Sequence, residues 1–138
     1  FRYDIKKIAD ELQRIHGPGS VVTYFGDTTD EQRQQAIKDF QFGDARFFVA
    51  NPQTAGFGLT LTAATNVVYY ANDFDLATRM QSEDRCHRIG QDNRVTYVDL
   101  ITPGSIDQRI VRALRDKIDL SAKALGEEAR KWLEVSAP

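Results

Sequence analysis

Residues 66–101 read NVVYYANDFDLATRMQSEDRCHRIGQDNRVTYVDLI, in which two runs rich in β-branched and aromatic residues flank a longer segment. The flanking runs, residues 66–71 and 94–101, have the composition of short strands. The intervening residues 76–89 have the length of a helix. Because a helix between two strands usually joins them as a parallel pair, this stretch predicts an α/β fold with right-handed crossovers.

The rest of the chain extends the same alternation. The predicted elements are helices over residues 4–16, 28–41 and 105–125 and strands over residues 20–25 and 45–50. Thr28 and Glu31 predict a capping box at the start of the second helix. Together these elements indicate a three-layer α/β domain, in which helices flank a mostly parallel sheet. Because the chain opens on a helix, we expect the domain, residues 1–125, to lack its first strand. Residues 126–138 are expected to form a helical tail that Trp132 anchors.

The composition is that of one soluble globular domain, with 41% hydrophobic and 28% charged residues in 138. A net charge of −2 excludes a wholly basic protein that coats nucleic acid, although it allows a local basic patch. The single cysteine, Cys86, excludes an internal disulfide and indicates a reducing compartment such as the cytoplasm or nucleus. No apolar run approaches the roughly 18 residues of a bilayer span, so no membrane interaction is expected.

The predicted helix that ends at Gly90 contains a candidate phosphate clamp. Gln81, Arg85 and Arg88 are spaced i, i+4 and i+7, which would place them on one helix face. Arginine suits a phosphoryl group because it stays charged and presents a planar fork of donors. Asp84 is positioned to orient Arg85. A solvated helix face is the alternative interpretation of this spacing.

The loops after the predicted strands form a second candidate site. Open α/β sheets bind ligands at the carboxyl ends of their strands. In the segment after the second strand, Gly56 and Gly58 permit a close backbone approach, and Thr54 and Thr60 add hydroxyl groups. These groups suit a phosphate or ribose, and an ordinary glycine loop is the alternative.

A phosphate cradle is missing from the sequence. The chain contains neither the pattern G-x-x-x-x-G-K-[ST] nor an acidic pair placed to hold Mg²⁺ after an apolar strand. Arginine fingers act on a nucleotide that another surface holds. The chain is therefore expected to supply half of a nucleotide site and not to hydrolyse a nucleotide alone.

QSEDRCHRIGQ, residues 81–91, resembles motif VI of the Snf2-type ATPases of helicase superfamily 2, Q-A-x-D-R-x-H-R-I-G-Q, with Ser82 as the one departure. VVTYFGDTTDEQRQQAIKDFQ, residues 21–41, resembles the family's strand, glycine and capped helix. TAGFGLTLTAATNVVYYAND, residues 54–73, resembles motif V and the strand after it. SIDQRI, residues 105–110, resembles the start of the helix that follows motif VI. The resemblance extends from about Asp4 to Leu125 and is carried by motifs in the family's order.

The resemblance implies that this chain is the second of two RecA-like lobes, with ATP and Mg²⁺ held between the lobes mainly by the N-terminal one. Arg85 and Arg88 would reach the ATP phosphates, and Gln81 would sense the γ-phosphate. The nucleotide-side residues would be Gly56, Gly58, Thr60 and Asp84. The contacts with the phosphate backbone of double-stranded DNA would come from Gly26, Asp27, Gln53 and Thr54. No metal ligand is expected in this chain.

The resemblance leaves some interpretations open. The family's large inserts between lobes are absent, which indicates a fragment or a compact viral or bacterial member. A non-catalytic DNA- or protein-binding module is the alternative function, whereas a flavodoxin-like binder would need a better phosphate loop than residues 26–28. In the isolated lobe we expect Arg85 and Arg88 to be exposed and unpaired. Cys86 is expected to be a buried small residue, and His87 to form a structural hydrogen bond beneath the loop.

Overall fold

The computed structural model describes residues 2–54 and 58–125 and confirms the alternation of helices and strands. The elements are α1 Arg2–His16, β1 Val21–Tyr24, α2 Asp30–Phe42, β2 Phe47–Ala50, β3 Asn66–Tyr69, α3 Leu76–Asp84, β4 Thr96–Asp99 and α4 Ile106–Leu125. The strands form two parallel pairs, β1 with β2 and β3 with β4, and helices flank both. The predicted α/β class is therefore confirmed. Gly56 and the predicted tail with Trp132 lie outside the described residues.

The described residues divide into two compact units. The first contains the chain up to residue 63 together with residues 81–91, and the second contains residues 64–80 and 92–125. The first residues of α3, up to Met80, belong to the second unit, as does β3. The last residues of α3 belong to the first unit together with the rest of the predicted motif VI, residues 81–91.

The core of the first unit lies against the β1–β2 pair, whose register runs from Val21 opposite Phe47 to Tyr24 opposite Ala50. Tyr24 and Leu59 are buried together, and the partly buried side chains packed against them are Ile37, Phe48 and Ala50. Burial of these apolar surfaces, worth roughly 25 cal/mol per Å², holds the loop after β2 onto the sheet. The loop that carries the predicted motif V is thus anchored at Leu59.

The N-cap of helix α2 lies one residue later than predicted. Thr29, in extended conformation, accepts a hydrogen bond on its hydroxyl from the Gln32 backbone N–H, and the Gln32 side chain accepts one from the Thr29 N–H. The predicted box of Thr28 with Glu31 is wrong because the Thr28 hydroxyl donates to the Phe25 carbonyl at 2.6 Å. That bond uses Thr28 to close the turn after β1.

A partly buried ion pair joins α3 to β4 in the second unit. Arg79 on α3 donates to both carboxylate oxygens of Asp99 on β4, at 2.6 and 3.2 Å, and to the Asn72 amide oxygen at 2.8 Å. Its guanidinium also lies 3.6 Å from the centroid of the Tyr69 ring.

Helix α4 buries one apolar stripe, which consists of Ile110, Val111, Leu114 and Ile118. Within the described part of the chain, no helix is long and apolar enough to cross a membrane.

Candidate functional site

The segment predicted as one helix through Gly90 contains a helix followed by turns. Helix α3 ends at Asp84, and the carbonyl of Arg85 accepts a hydrogen bond from the Leu61 N–H at 2.9 Å. That carbonyl is thereby taken from the helical hydrogen-bond ladder, and the backbone turns. The prediction of a shared helix face for Gln81, Arg85 and Arg88 is therefore wrong.

Arg88 is the centre of the polar cluster in the first unit. Its Nε donates to the Asp84 carboxylate at 3.3 Å, and its Nη1 donates to the Leu59 carbonyl at 3.3 Å and lies 3.5 Å from the Thr60 hydroxyl. The side chain is 35% exposed. Three residues predicted for the nucleotide site, Thr60, Asp84 and Arg88, are thus brought together, and Asp84 orients Arg88 instead of Arg85.

Arg85 has a different environment from Arg88. The residue is buried, with 6% of its surface exposed, between the buried neighbours Glu83 and Cys86. The expectation that both arginines are exposed and unpaired is wrong, because Arg85 is covered and Arg88 is held by three groups. His87 is exposed, so its expected place beneath the loop is also wrong.

The buried position of Cys86 confirms the interpretation of this residue as a small core side chain. It is 4% exposed. Burial, with a smaller contribution from the charge of Glu83, raises the pKa of the Cys86 thiol to about 11. The thiol therefore stays protonated near neutral pH.

Two glutamines that sequence reasoning missed hold the loop of residues 59–63, which we call the arginine-support loop. Gln91 donates to the Thr62 carbonyl at 2.9 Å and to the Cys86 carbonyl at 3.1 Å. Gln41 on α2 donates to the Thr62 hydroxyl at 3.1 Å and accepts from the Ala63 N–H at 2.8 Å. No local pattern signals the contacts with the loop, because they join residues more than 20 positions apart.

The glycine and glutamine predicted beside the arginines are both accessible. Gly58 is exposed and has a φ of +75°, a left-handed conformation that L side chains rarely adopt. It immediately precedes the arginine-support loop. Gln81 is exposed on α3. Gly56, two residues before Gly58, falls in the gap between the described ranges.

The loops predicted to contact DNA leave the same edge of the β1–β2 pair. The strands are parallel, and the Asn51 N–H donates to the Tyr24 carbonyl at 3.3 Å where the strands end. The loop after β2 turns tightly, since the Gln53 N–H donates to the Asn51 side chain and the Thr54 N–H to the Asn51 carbonyl. The exposed carboxylate of Asp27 forms an ion pair with Arg2 at 3.1 Å.

Arg33 holds the turn that contains Gly26. Its Nε donates to the Thr28 hydroxyl at 3.2 Å and its Nη2 to the Gly26 carbonyl at 3.4 Å, while its guanidinium lies 5.5 Å from the Tyr24 ring centroid. The turn after β1 is thus fixed by a side chain from α2. In the described ranges, no group of three or more histidine, cysteine or acidic side chains could hold a metal ion.

This geometry is that of a RecA-like C-terminal lobe of a helicase-like ATPase, with parallel strands and an arginine beside a glycine–threonine loop. The chain belongs to the helicase conserved C-terminal domain family, which matches residues 2–90, and within it to the Snf2-type ATPases. A crystal structure of the C-terminal part of the Fun30 ATPase domain has the same fold, with a TM-score of 0.74 and 28% identity. The match covers 83% of this chain and 37% of that one.

The sequence relatives include chromatin-remodelling ATPases and helicases. The chromatin-remodeling ATPase INO80 of Mycosarcoma maydis is 36% identical over 107 residues, which cover 77% of this chain and 6% of INO80. The ATP-dependent helicase fft1 of Schizosaccharomyces pombe is 34% identical over 112 residues, or 80% of this chain and 12% of fft1. This chain therefore spans a small fraction of these relatives. Both come from fungi and give no support to a viral or bacterial origin.

Proposed function

We propose that this chain is the C-terminal motor lobe of an ATP-dependent translocase on double-stranded DNA, and that Arg88 is its arginine finger. ATP and Mg²⁺ are held mainly by the N-terminal lobe of the full protein. The observation that carries the proposal is the half-exposed Arg88, held through Nε and Nη1 by Asp84 and the arginine-support loop. Among the described residues nothing accepts a hydrogen bond from its Nη2, which leaves that donor for a phosphate oxygen.

The environment of Arg88 suits a finger because it fixes the side chain without covering it. A guanidinium that is already oriented loses less conformational freedom when it meets developing negative charge. Gln81, Gly58 and Thr60 are exposed and complete the nucleotide-facing surface that we propose. Gly56, two positions before Gly58 in the sequence, is assigned to this surface from the motif alone.

Arg85 has a second role in the proposal. Its burial prevents direct phosphate contact in this conformation. We assign it a phosphate contact that forms only when residues 85–91 rearrange as the two lobes close on ATP. Until that step, Arg85 belongs to the buried base of the turn that carries Arg88.

The DNA contact that we propose involves two loops at one sheet edge. Gly26 and Asp27 follow β1, and Gln53 and Thr54 follow β2, so one phosphate backbone could meet both loops. The Arg2–Asp27 ion pair reduces the repulsion between that carboxylate and phosphate. Contacts of this kind bind DNA without reading its sequence. Kinship with chromatin-remodelling ATPases supports a nuclear location for the full protein.

Steady-state ATPase assays of the full-length protein test the finger assignment. We expect Arg88→Ala to lower the DNA-stimulated kcat by about 1000-fold, the size of effect that arginine fingers have elsewhere. Binding of ATP should persist, because the other lobe holds most of the nucleotide. Arg112→Ala, on an exposed face of α4, is the matched control and should retain normal kcat. Normal DNA-stimulated turnover by the Arg88→Ala protein would falsify the assignment.

A further inference from the structure

Gln41 lies in the last turn of α2 and is none of the residues assigned above to the nucleotide or DNA surfaces. Both ends of its amide are used, since Nε2 donates to the Thr62 hydroxyl at 3.1 Å and Oε1 accepts from the Ala63 N–H at 2.8 Å. The side chain is partly buried. One amide thus fixes a side chain and a backbone group at the end of the arginine-support loop.

The other end of the same loop holds Arg88. The Leu59 carbonyl accepts from Arg88 at 3.3 Å, and the Leu61 N–H donates to the Arg85 carbonyl at 2.9 Å. Gln91 binds the Thr62 carbonyl at 2.9 Å, while Gln41 binds the hydroxyl of the same residue. The position of the groups around Arg88 therefore depends on a loop that Gln41 on α2 restrains by two hydrogen bonds, in addition to the packing of Ile37 against the Tyr24–Leu59 cluster.

We propose that Gln41 is a positioning residue for Arg88, an inference that rests on the proposed function of Arg88 as the arginine finger. Leu59 and Leu61 are buried and keep the loop on the core whether or not Gln41 is present. Loss of Gln41 thus shifts the loop instead of unfolding it. A displacement of about 1 Å at a reacting group can cost roughly 100-fold in rate, so a smaller shift has a measurable effect.

The test is a set of substitutions in the full-length protein, with kcat and KM measured for ATP and DNA. Gln41→Met keeps the length of the side chain and removes both hydrogen bonds, and we expect kcat to fall about tenfold with both KM values unchanged. Gln41→Glu should restore kcat to within about threefold of wild type, because a carboxylate accepts from both the Ala63 N–H and the Thr62 hydroxyl. Gln35→Met is the matched control, since Gln35 lies exposed on the same helix and donates to Asp39, away from the arginine-support loop.

A double-mutant cycle shows whether Gln41 acts through Arg88. In an Arg88→Ala background, Gln41→Met should cause no further loss of the residual kcat, because the group it positions is gone. A further tenfold loss there would contradict the positioning role. If Gln41→Met has the wild-type kcat while Arg88→Ala is inactive, the positioning role of Gln41 is overturned and the finger assignment of Arg88 is retained. Normal kcat for Arg88→Ala would overturn both.

A second substitution keeps the test informative if Gln41→Met does not fold. Thr62→Val removes the hydroxyl that Gln41 binds and leaves the loop backbone and its buried leucines in place. We expect a several-fold lower kcat with unchanged KM for ATP and an unfolding temperature close to that of the Gln35→Met control. An unchanged kcat for well-folded Thr62→Val would count against the inference.

Discussion

At the scale of single residues, a backbone contact between distant positions determines that Arg85 is buried while Arg88 is partly exposed. Their spacing would place them on one helix face, but the Leu61 N–H binds the Arg85 carbonyl and the helix ends one residue earlier, at Asp84. Arg85 is buried as a result, and Arg88 stays partly exposed beside Asp84. Helical periodicity could not predict this, because the competing donor lies 24 positions upstream.

The chemistry of Cys86 gives a prediction at the same scale. Because burial raises its thiol pKa to about 11, the thiolate that reacts with alkylating reagents is scarce at pH 8. We expect the native protein to react with iodoacetamide at pH 8 at least about 100-fold more slowly than the denatured protein. Mass spectrometry of samples quenched over time measures both rates. Rapid modification of the native protein would contradict the buried position of this thiol.

At the scale of elements, the sequence predicts the order and type of all eight helices and strands that the structure describes. The strands are shorter than predicted because β-rich composition continues beyond the residues that pair, as at Tyr70 after β3. The cap of α2 was misplaced because Thr28 and Thr29 have the same side chain. Thr60, Asp84 and Arg88, which the resemblance assigns to the nucleotide site, lie together in the structure, and their role there stays a prediction. The contacts of Gln41 with the arginine-support loop had no sequence signal.

The Arg79–Asp99 ion pair links α3 to β4 and makes the stability of the second unit depend on pH. Burial alone would raise the pKa of the Asp99 carboxyl, but the hydrogen bonds and charge of Arg79, helped by Asn72, outweigh it and lower the pKa. A carboxyl whose folded pKa is lowered stabilises the fold fully above its unfolded pKa, about 3.9. That stabilisation is lost as the pH falls through the folded pKa.

Urea unfolding between pH 7 and pH 2.5 measures this dependence. Asp99→Asn should reduce the slope of the unfolding free energy against pH below about pH 4, because the titrating group is removed. Arg79→Met should cost about 3 kcal/mol at pH 7, since it leaves a largely buried carboxylate without its cation. The exposed Asp116→Asn is the control and should retain the wild-type slope. An unchanged slope for Asp99→Asn would show that the pair does not govern acid unfolding.

At the scale of the whole molecule, the proposed function gives this chain one side of a nucleotide site. It supplies Arg88 and the arginine-support loop, while its sequence contains no phosphate-cradling glycine–lysine pattern. The 138 residues also match only 6% of INO80 and 12% of fft1. An arginine finger acts on a nucleotide that another surface holds. If Arg88 is such a finger, two separately prepared lobes should hydrolyse ATP only when they are mixed.

Under the proposed function, ATP turnover requires both lobes. We expect the 138-residue chain alone to show no ATP turnover above background, with or without double-stranded DNA. Addition of the N-terminal lobe of the same protein should restore DNA-stimulated turnover, and the restored rate should saturate as the concentration of this chain rises. The Arg88→Ala chain should bind the N-terminal lobe equally well and restore about 1000-fold less activity, because only the finger is missing. ATP hydrolysis that co-purifies with the isolated chain would mean that this chain holds ATP by itself. That result would contradict the proposal that it supplies only one side of the site.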